Sequence, residues 1–221
     1  MSKHAFLSPS GSYRWLNCTP SAMLESEFPG GSSSAVEEGT AVHAFCEHKL
    51  KKALRRRSKR PVSDYDSDEM QEYTDSYVDY VLEQLEVAKQ TYKDSMVLIE
   101  QKVDFSEYVP EGYGTADCII VEDDTMQIID FKYGLGVLVD AEQNTQLMCY
   151  SIGALNLFDS LYDIKEVTMH IFQPRRENVQ SWTIQVDELK AWAENELKPK
   201  AQMGHRFAFI KKDDVLFRVP F

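Results

Sequence analysis

The 221-residue sequence has no apolar run near the ~20 residues that a membrane-spanning helix needs, which excludes such a helix. Its opening, MSKHAFLSPSGSYRW, carries no apolar h-region, so we expect no secretory signal and a cytoplasmic chain. Cysteine is sparse. Cys18, Cys46, Cys118 and Cys149 form no C-x-x-C pair and no zinc-type spacing, so reduced thiols are expected. No internal repeat appears, which argues against a solenoid or propeller. Basic charge is also in deficit: 24 Lys/Arg against 36 Asp/Glu leave a net charge of −12. A simple nucleic-acid binder carries the opposite balance.

What is present is the composition of an ordinary globular protein, long enough for one core or for one core with a helical appendage. Its basic charge is concentrated. Residues 49–60, KLKKALRRRSKR, hold eight of the 24 Lys/Arg, leaving 16 against 36 acidic residues elsewhere. Two readings stand for this run. It is a local phosphate contact, with Lys51, Lys52, Arg55, Arg56 and Arg57 touching DNA, or it is a solvated helix end. Arg14, on a short helix near the N-terminus, and Arg175 and Arg176, in the QPRREN turn, are further DNA-contact candidates. Plain helix-surface placement is the first reading of Arg14, and turn solubility is the alternative for Arg175 and Arg176.

Along the chain, a Gly/Ser-rich loop spans residues 27–34. Ser34-Ala35-Val36-Glu37 has the form of a capping box and predicts a helix from Ala35 to about Arg56. On it Gly39, His43 and Glu47 share one face, and Gly39 is expected to let the helix approach a sheet closely. A second helix is predicted from about Ser67 to Lys93, with Met70, Tyr73, Tyr77, Val81, Leu85 and Ala88 facing the core. Strands are expected near residues 96–105, 166–173 and 179–186, then a last helix capped by Asp187 and ending near Leu197. The tail from residue 202 reads as a packing or oligomer-forming segment.

The most informative stretch is residues 112–150. Two apolar runs, at 118–121 and 126–129, flank an acidic turn at 122–125, the pattern of a hairpin. Asp117 opens its first strand, and Asp130 and Lys132 close its second. Side chains two apart on a strand share a face, so Asp130 and Lys132 lie side by side. Pairing the strands brings Asp117 near Asp130, and two carboxylates held that close call for a divalent cation such as Mg²⁺ or Mn²⁺. A helix predicted from Ala141 to about Phe158 then sets Gln143, Gln146 and Tyr150 on one face. Within the first strand, Glu100 interrupts an apolar run.

These residues carry a resemblance. G-T-A-D at 114–117, I-I-D-F-K-Y-G at 128–134, Q-x-x-x-Y at 146–150 and an upstream G-x-x-x-H at 39–43 resemble the motifs of the RecB-like branch of the PD-(D/E)XK nuclease superfamily. The likeness is closest to phage-borne members that sit with recombination genes, and it covers residues 8–200. It implies an α/β fold with a central mixed β-sheet flanked by helices, the restriction-endonuclease-like core. It also implies one nuclease domain over 1–221, with a helical part at about 8–93 and a core at about 94–200. The metal would be held by His43, Asp117, Asp130 and the Phe131 backbone carbonyl, with Glu100 bound to it or beside it. Lys132 would orient or deprotonate the attacking water, and Gln146 and Tyr150 would hold the substrate phosphate.

The implied activity is a metal-dependent DNA nuclease acting on linear ends, an end-processing exonuclease of phage or mobile-element recombination in the host cytoplasm. A second copy or a recombination protein would be its partner. The alternative is a non-catalytic module that binds DNA ends or a host factor. One departure matters. Relatives with an iron–sulfur cluster place three cysteines after the nuclease motifs, whereas none follows Cys149 here. We therefore expect no cluster.

Overall fold

A computed structural model describes residues 5–28, 33–158 and 161–210, with side chains through residue 207. A 3₁₀ turn, Pro9–Gly11, leads into α1 (Ser12–Asn17) and α2 (Ser21–Ser26), followed by the long helices α3 (Ser34–Ala53) and α4 (Asp68–Thr91). Then come β1 (Met96–Asp104), β2 (Tyr113–Val121), β3 (Thr125–Phe131), α5 (Thr145–Phe158), β4 (Glu166–Gln173) and β5 (Asn178–Gln185). The chain closes with α6 (Val186–Trp192), a π turn (Ala193–Leu197) and α7 (Lys198–Ile210). The five strands form one sheet in the order β1-β2-β3-β4-β5, antiparallel except for β3 and β4. A parallel pair needs a crossover, and α5 supplies it. The protein is therefore an α/β fold with a mixed sheet flanked by helices.

Helix ends depart from the sequence expectations for local reasons. Ser33, not Ser34, caps α3, its side chain accepting from the Val36 N–H. The helix stops at Ala53 because Arg55 turns left-handed, at φ 57°, which places Arg56 beyond it. Similarly, α5 starts at Thr145 rather than Ala141. Gln143 is left-handed at φ 52°, and Asn144 Oδ1 then accepts from the Leu147 N–H. Gln143 is thus off the helix and off its expected face. Asp187 lies in the first turn of α6, whose cap is Gln185. The helical path does not end near Leu197 either. Pro199 has no N–H to donate and crowds the carbonyl four residues back, and the π turn, in which the Lys198 N–H bonds Ala193 O, relieves this. The expected tail from residue 202 thus begins as α7, and residues 211–221 lie outside the described residues, as do 29–32 of the Gly/Ser-rich loop.

The sheet separates two apolar clusters. On one face Val42, Phe45, Leu50, Tyr77 and Val81 of α3 and α4 pack on Cys118, Ile120, Ile129 and Phe131. On the other, Trp15, Leu147, Ile152, Leu189 and Leu197 pack on Ile119, Val121, Ile128 and Met169. The N-terminal helices cover both faces instead of hanging from one. No helix among the described residues is long and apolar enough to cross a membrane.

Buried between α4 and β4, His170 accepts or donates at 2.8 Å to the Tyr80 hydroxyl, and burial lowers its pKa to about 4. The unfolded chain takes up this proton near 6.5 and the folded chain only near 4, so stability falls as pH drops through that window. The loss reaches roughly 3 kcal/mol. Urea unfolding of His170→Leu at pH 7 and pH 4.5 should show a distinctly smaller decline than the unchanged protein. Equal declines would discount His170 as the acid-sensitive group.

Candidate functional site

The hairpin pairs as expected, Cys118 with Ile129 and Val121 with Met126. One residue past that ladder, Asp117 Oδ2 accepts from the Phe131 N–H at 2.8 Å, which ties it to the end of β3. On its other side, the β1–β2 register runs Ile99 with Cys118 and then Gln101 with Ala116, so Glu100 stands opposite Asp117. Glu100 is left-handed at φ 49°, a conformation that costs an L-residue about 1–2 kcal/mol. Its effect is visible in the packing. Before the Glu100–Asp117 step, Met96, Leu98, Ile119 and Val121 face the α5 side; beyond it, Val103 and Ala116 face that side instead. Both strands swap faces at the same step, and their acidic side chains emerge there.

The helix α3 crosses above this step and brings in His43. Its Nδ1 lies 3.3 Å from Asp117 Oδ1, and one ligand atom each from His43, Glu100 and Asp117 falls within 4.8 Å of the others. Electrostatics mark the spot as over-supplied with negative charge. Asp117 holds His43 up to about 9 against the pull of burial. Burial first, then Asp117, pushes Glu100 up to about 7. Burial would raise Asp117 too, but His43, the Phe131 N–H and Lys132 together hold it below the usual carboxylate range. An imidazole and two carboxylates at this separation fit Mg²⁺ or Mn²⁺, and the imidazole favours the softer Mn²⁺.

Beside the cluster, a polar chain connects β3 to α5. Lys132 Nζ lies 2.9 Å from Asp130 Oδ2 and donates at 2.8 Å to Gln146 Oε1. Gln146 Nε2 in turn donates to Asp130 Oδ1 at 3.3 Å and to the Tyr150 hydroxyl at 3.0 Å. Burial raises Asp130, opposed by Lys132, while Asp130 outweighs burial and raises Lys132. The cluster and the chain line one cleft of about 580 Å³.

Sequence-derived candidates divide accordingly. His43, Glu100, Asp117, Asp130, Lys132, Gln146 and Tyr150 share the cleft. Asp130 stands outside the three-residue cluster, its oxygens facing Lys132 and Gln146. Phe131 enters through its N–H, where the expectation concerned its carbonyl. Gly39 has open space where a Cβ would be, so it widens the cleft mouth and does not serve close packing against the sheet.

Half of the basic run, four of its eight Lys/Arg, is engaged within the fold. Lys49 pairs with Asp75, Lys51 with Glu47, Arg60 with Asp66, and Arg56 donates to Val97 O. Lys52, Arg55 and Arg57 are exposed. Arg14 pairs with Glu25, and Arg175 clasps Glu69 while stacking at 4.5 Å over Tyr133. Arg176 is exposed and donates to Leu135 O.

Sequence reasoning missed the cleft wall formed by Ser8, Pro9 and Ser10, and the role of Gly114. A Cβ on Gly114 would lie 2.7 Å from Tyr150 Cε1 and 2.8 Å from Pro9 Cγ. The glycine that opens G-T-A-D therefore makes room for the Tyr150 ring. Gly114→Ala should displace that ring and destabilise the fold by about 1–3 kcal/mol. An unchanged denaturation midpoint would show that Tyr150 moves aside freely.

Fold and site together define a mixed-sheet α/β protein that gathers a His–Glu–Asp cluster and a Lys–Gln–Tyr chain in one cleft. The chain belongs to the family DUF2800, described as a protein of unknown function, which it matches over residues 4–217. It is also similar to the crystal structure of SSO0001, at 12% identity over 91% of this chain and 86% of that one. The TM-score of that superposition is 0.30, too slight a likeness to bear on fold or function.

Proposed function

We propose that the protein is a metal-dependent DNA nuclease of the RecB-like PD-(D/E)XK type, processing linear ends as an exonuclease. The observation that carries this activity is the cleft in which His43, Glu100 and Asp117 converge within 4.8 Å beside the Asp130–Lys132–Gln146–Tyr150 chain. Mg²⁺ or Mn²⁺ held by those three residues would supply phosphate neutralisation and a more acidic water. Lys132, clamped between Asp130 and Gln146, remains an ammonium, so it donates to the reacting oxygens and offsets their charge rather than removing a proton. Gln146 fixes the direction of Lys132. Tyr150, its phenol pushed up by burial, stays protonated and positions Gln146.

Incubation with linear and circular DNA, in Mn²⁺ or Mg²⁺ and in chelator, tests this. Linear DNA should be shortened only with metal, and circular DNA spared. No hydrolysis under any metal condition would overturn the activity. A second reading is favoured by the net charge of −12 and by the internal pairing of the basic run. On it, the protein is a module that docks a host factor through its acidic surface without cleaving.

A further inference from the structure

Between Lys132 and Gln146 the chain makes a long excursion that returns to its starting point. Its base is closed by the 2.8 Å hydrogen bond between those two side chains, in the cleft itself. Such a loop has its ends together. The middle is apolar and open to solvent: Leu135 is 56% exposed, Val137 85% and Leu138 48%.

Loops with exposed aliphatic tips are ordinarily slack, yet this one is pinned. Gln173 Nε2 donates to Gly134 O and Val137 O, and its Oε1 accepts from the Val139 N–H. Asn178 Nδ2 donates to Val139 O, and Gln180 Oε1 accepts from the Ala141 N–H. Three amide side chains from the β4–β5 hairpin thus fix the backbone of a loop whose aliphatic side chains are turned outward. Arg176, exposed, adds a cation beside the first residue of this tip through its contact with Leu135 O.

A pinned aliphatic tip with a cation beside it matches the two surfaces of a duplex end: stacked apolar bases and flanking phosphate. We propose that residues 135–138 form a wedge that meets the terminal base pair of a DNA duplex and parts its strands, so that one strand enters the cleft. Aliphatic side chains inserted at a base step unstack it, and at a terminal pair, which has a neighbour on one side only, unstacking frees the strand. The inference rests on the nuclease reading and names its substrate as duplex ends.

The test uses the whole protein and duplex DNA with 2-aminopurine in the terminal pair, in chelator so that no cleavage occurs. Binding should raise the 2-aminopurine fluorescence as the base unstacks. The variant with Leu135→Ser, Val137→Ser and Leu138→Ser, all on exposed positions, should bind with little or no rise. With metal present, that variant should lose duplex cleavage by roughly tenfold or more while single-strand cleavage stays nearly unchanged. The wedge is overturned if the unchanged protein does not bind the duplex, binds without a fluorescence rise, or shares its rise with the variant. It is also overturned if both substrates are cleaved less by the same factor. Failure of the nuclease reading would look different: no cleavage of either strand form by the unchanged protein in metal, with the fluorescence response in chelator still deciding the wedge.

Discussion

Lys132→Ala is expected to bind Mn²⁺ as the unchanged protein does while its cleavage rate falls by a hundredfold or more. A positioned donor aimed at developing charge is worth roughly 10²–10³ in rate. Lys132 contacts Asp130 and Gln146 and is not one of the three clustered ligand residues, so its loss removes an ammonium from beside the cation site without removing a donor atom. Asp117→Asn should behave differently. It weakens the carboxylate at the centre of the cluster, and both metal binding and cleavage should be lost. Asp130→Asn should lose cleavage, because it unpairs Lys132, and its calorimetry reports whether Asp130 joins the ligands. Calorimetric Mn²⁺ titration beside a nuclease assay separates these cases. Cleavage by Lys132→Ala at the unchanged rate would remove Lys132 from the mechanism, and metal binding by Asp117→Asn would move the site elsewhere.

Metal affinity should depend steeply on pH. His43 binds its proton up to about 9, and that proton must leave before Nδ1 can ligate. Glu100, at about 7, adds a second proton to be displaced at lower pH. The sign is the same for both groups: affinity rises with pH, by one proton between pH 7 and 9 and by two below 7. From pH 8 to pH 6 the affinity should therefore fall by roughly a thousandfold. Titration in buffers of different ionisation enthalpy should register the released protons directly. His43→Gln should flatten the dependence above pH 7. An affinity unchanged between pH 6 and 8 would exclude His43 and Glu100 as ligands.

The sequence made the hairpin legible because its two apolar runs and the acidic turn fix the register, and the register brings Asp117 to the end of β3. It made Gln146 and Tyr150 legible because both lie inside α5, where helical spacing holds. Gln143 was misplaced for the opposite reason: a single left-handed residue ahead of the Asn144 cap takes it off the helix, and spacing alone does not register such a turn. Glu100 could be flagged as an anomaly in an apolar strand, but not its left-handed backbone. One partner of the basic run was beyond reach as well: only the packing of α3 on α4 brings Asp75 to Lys49. Glu47 stands one helical turn before Lys51, and Asp66 meets Arg60 within the loop between the two helices.

The left-handed step at Glu100 also changes how related sequences should be read. A strand with one such residue carries two hydrophobic alternations half a period out of step, one on each side of it. Here the neighbouring strand carries the matching slip at Asp117, directly across the ladder. In other members of the family, the site should therefore be recoverable from phase alone: two strands joined as a hairpin whose alternations both reverse at facing positions. A relative that had replaced the acids but kept the paired reversal would preserve the architecture of the pocket without its charge. One in which the reversal was repaired to an unbroken alternation would have folded the pocket shut.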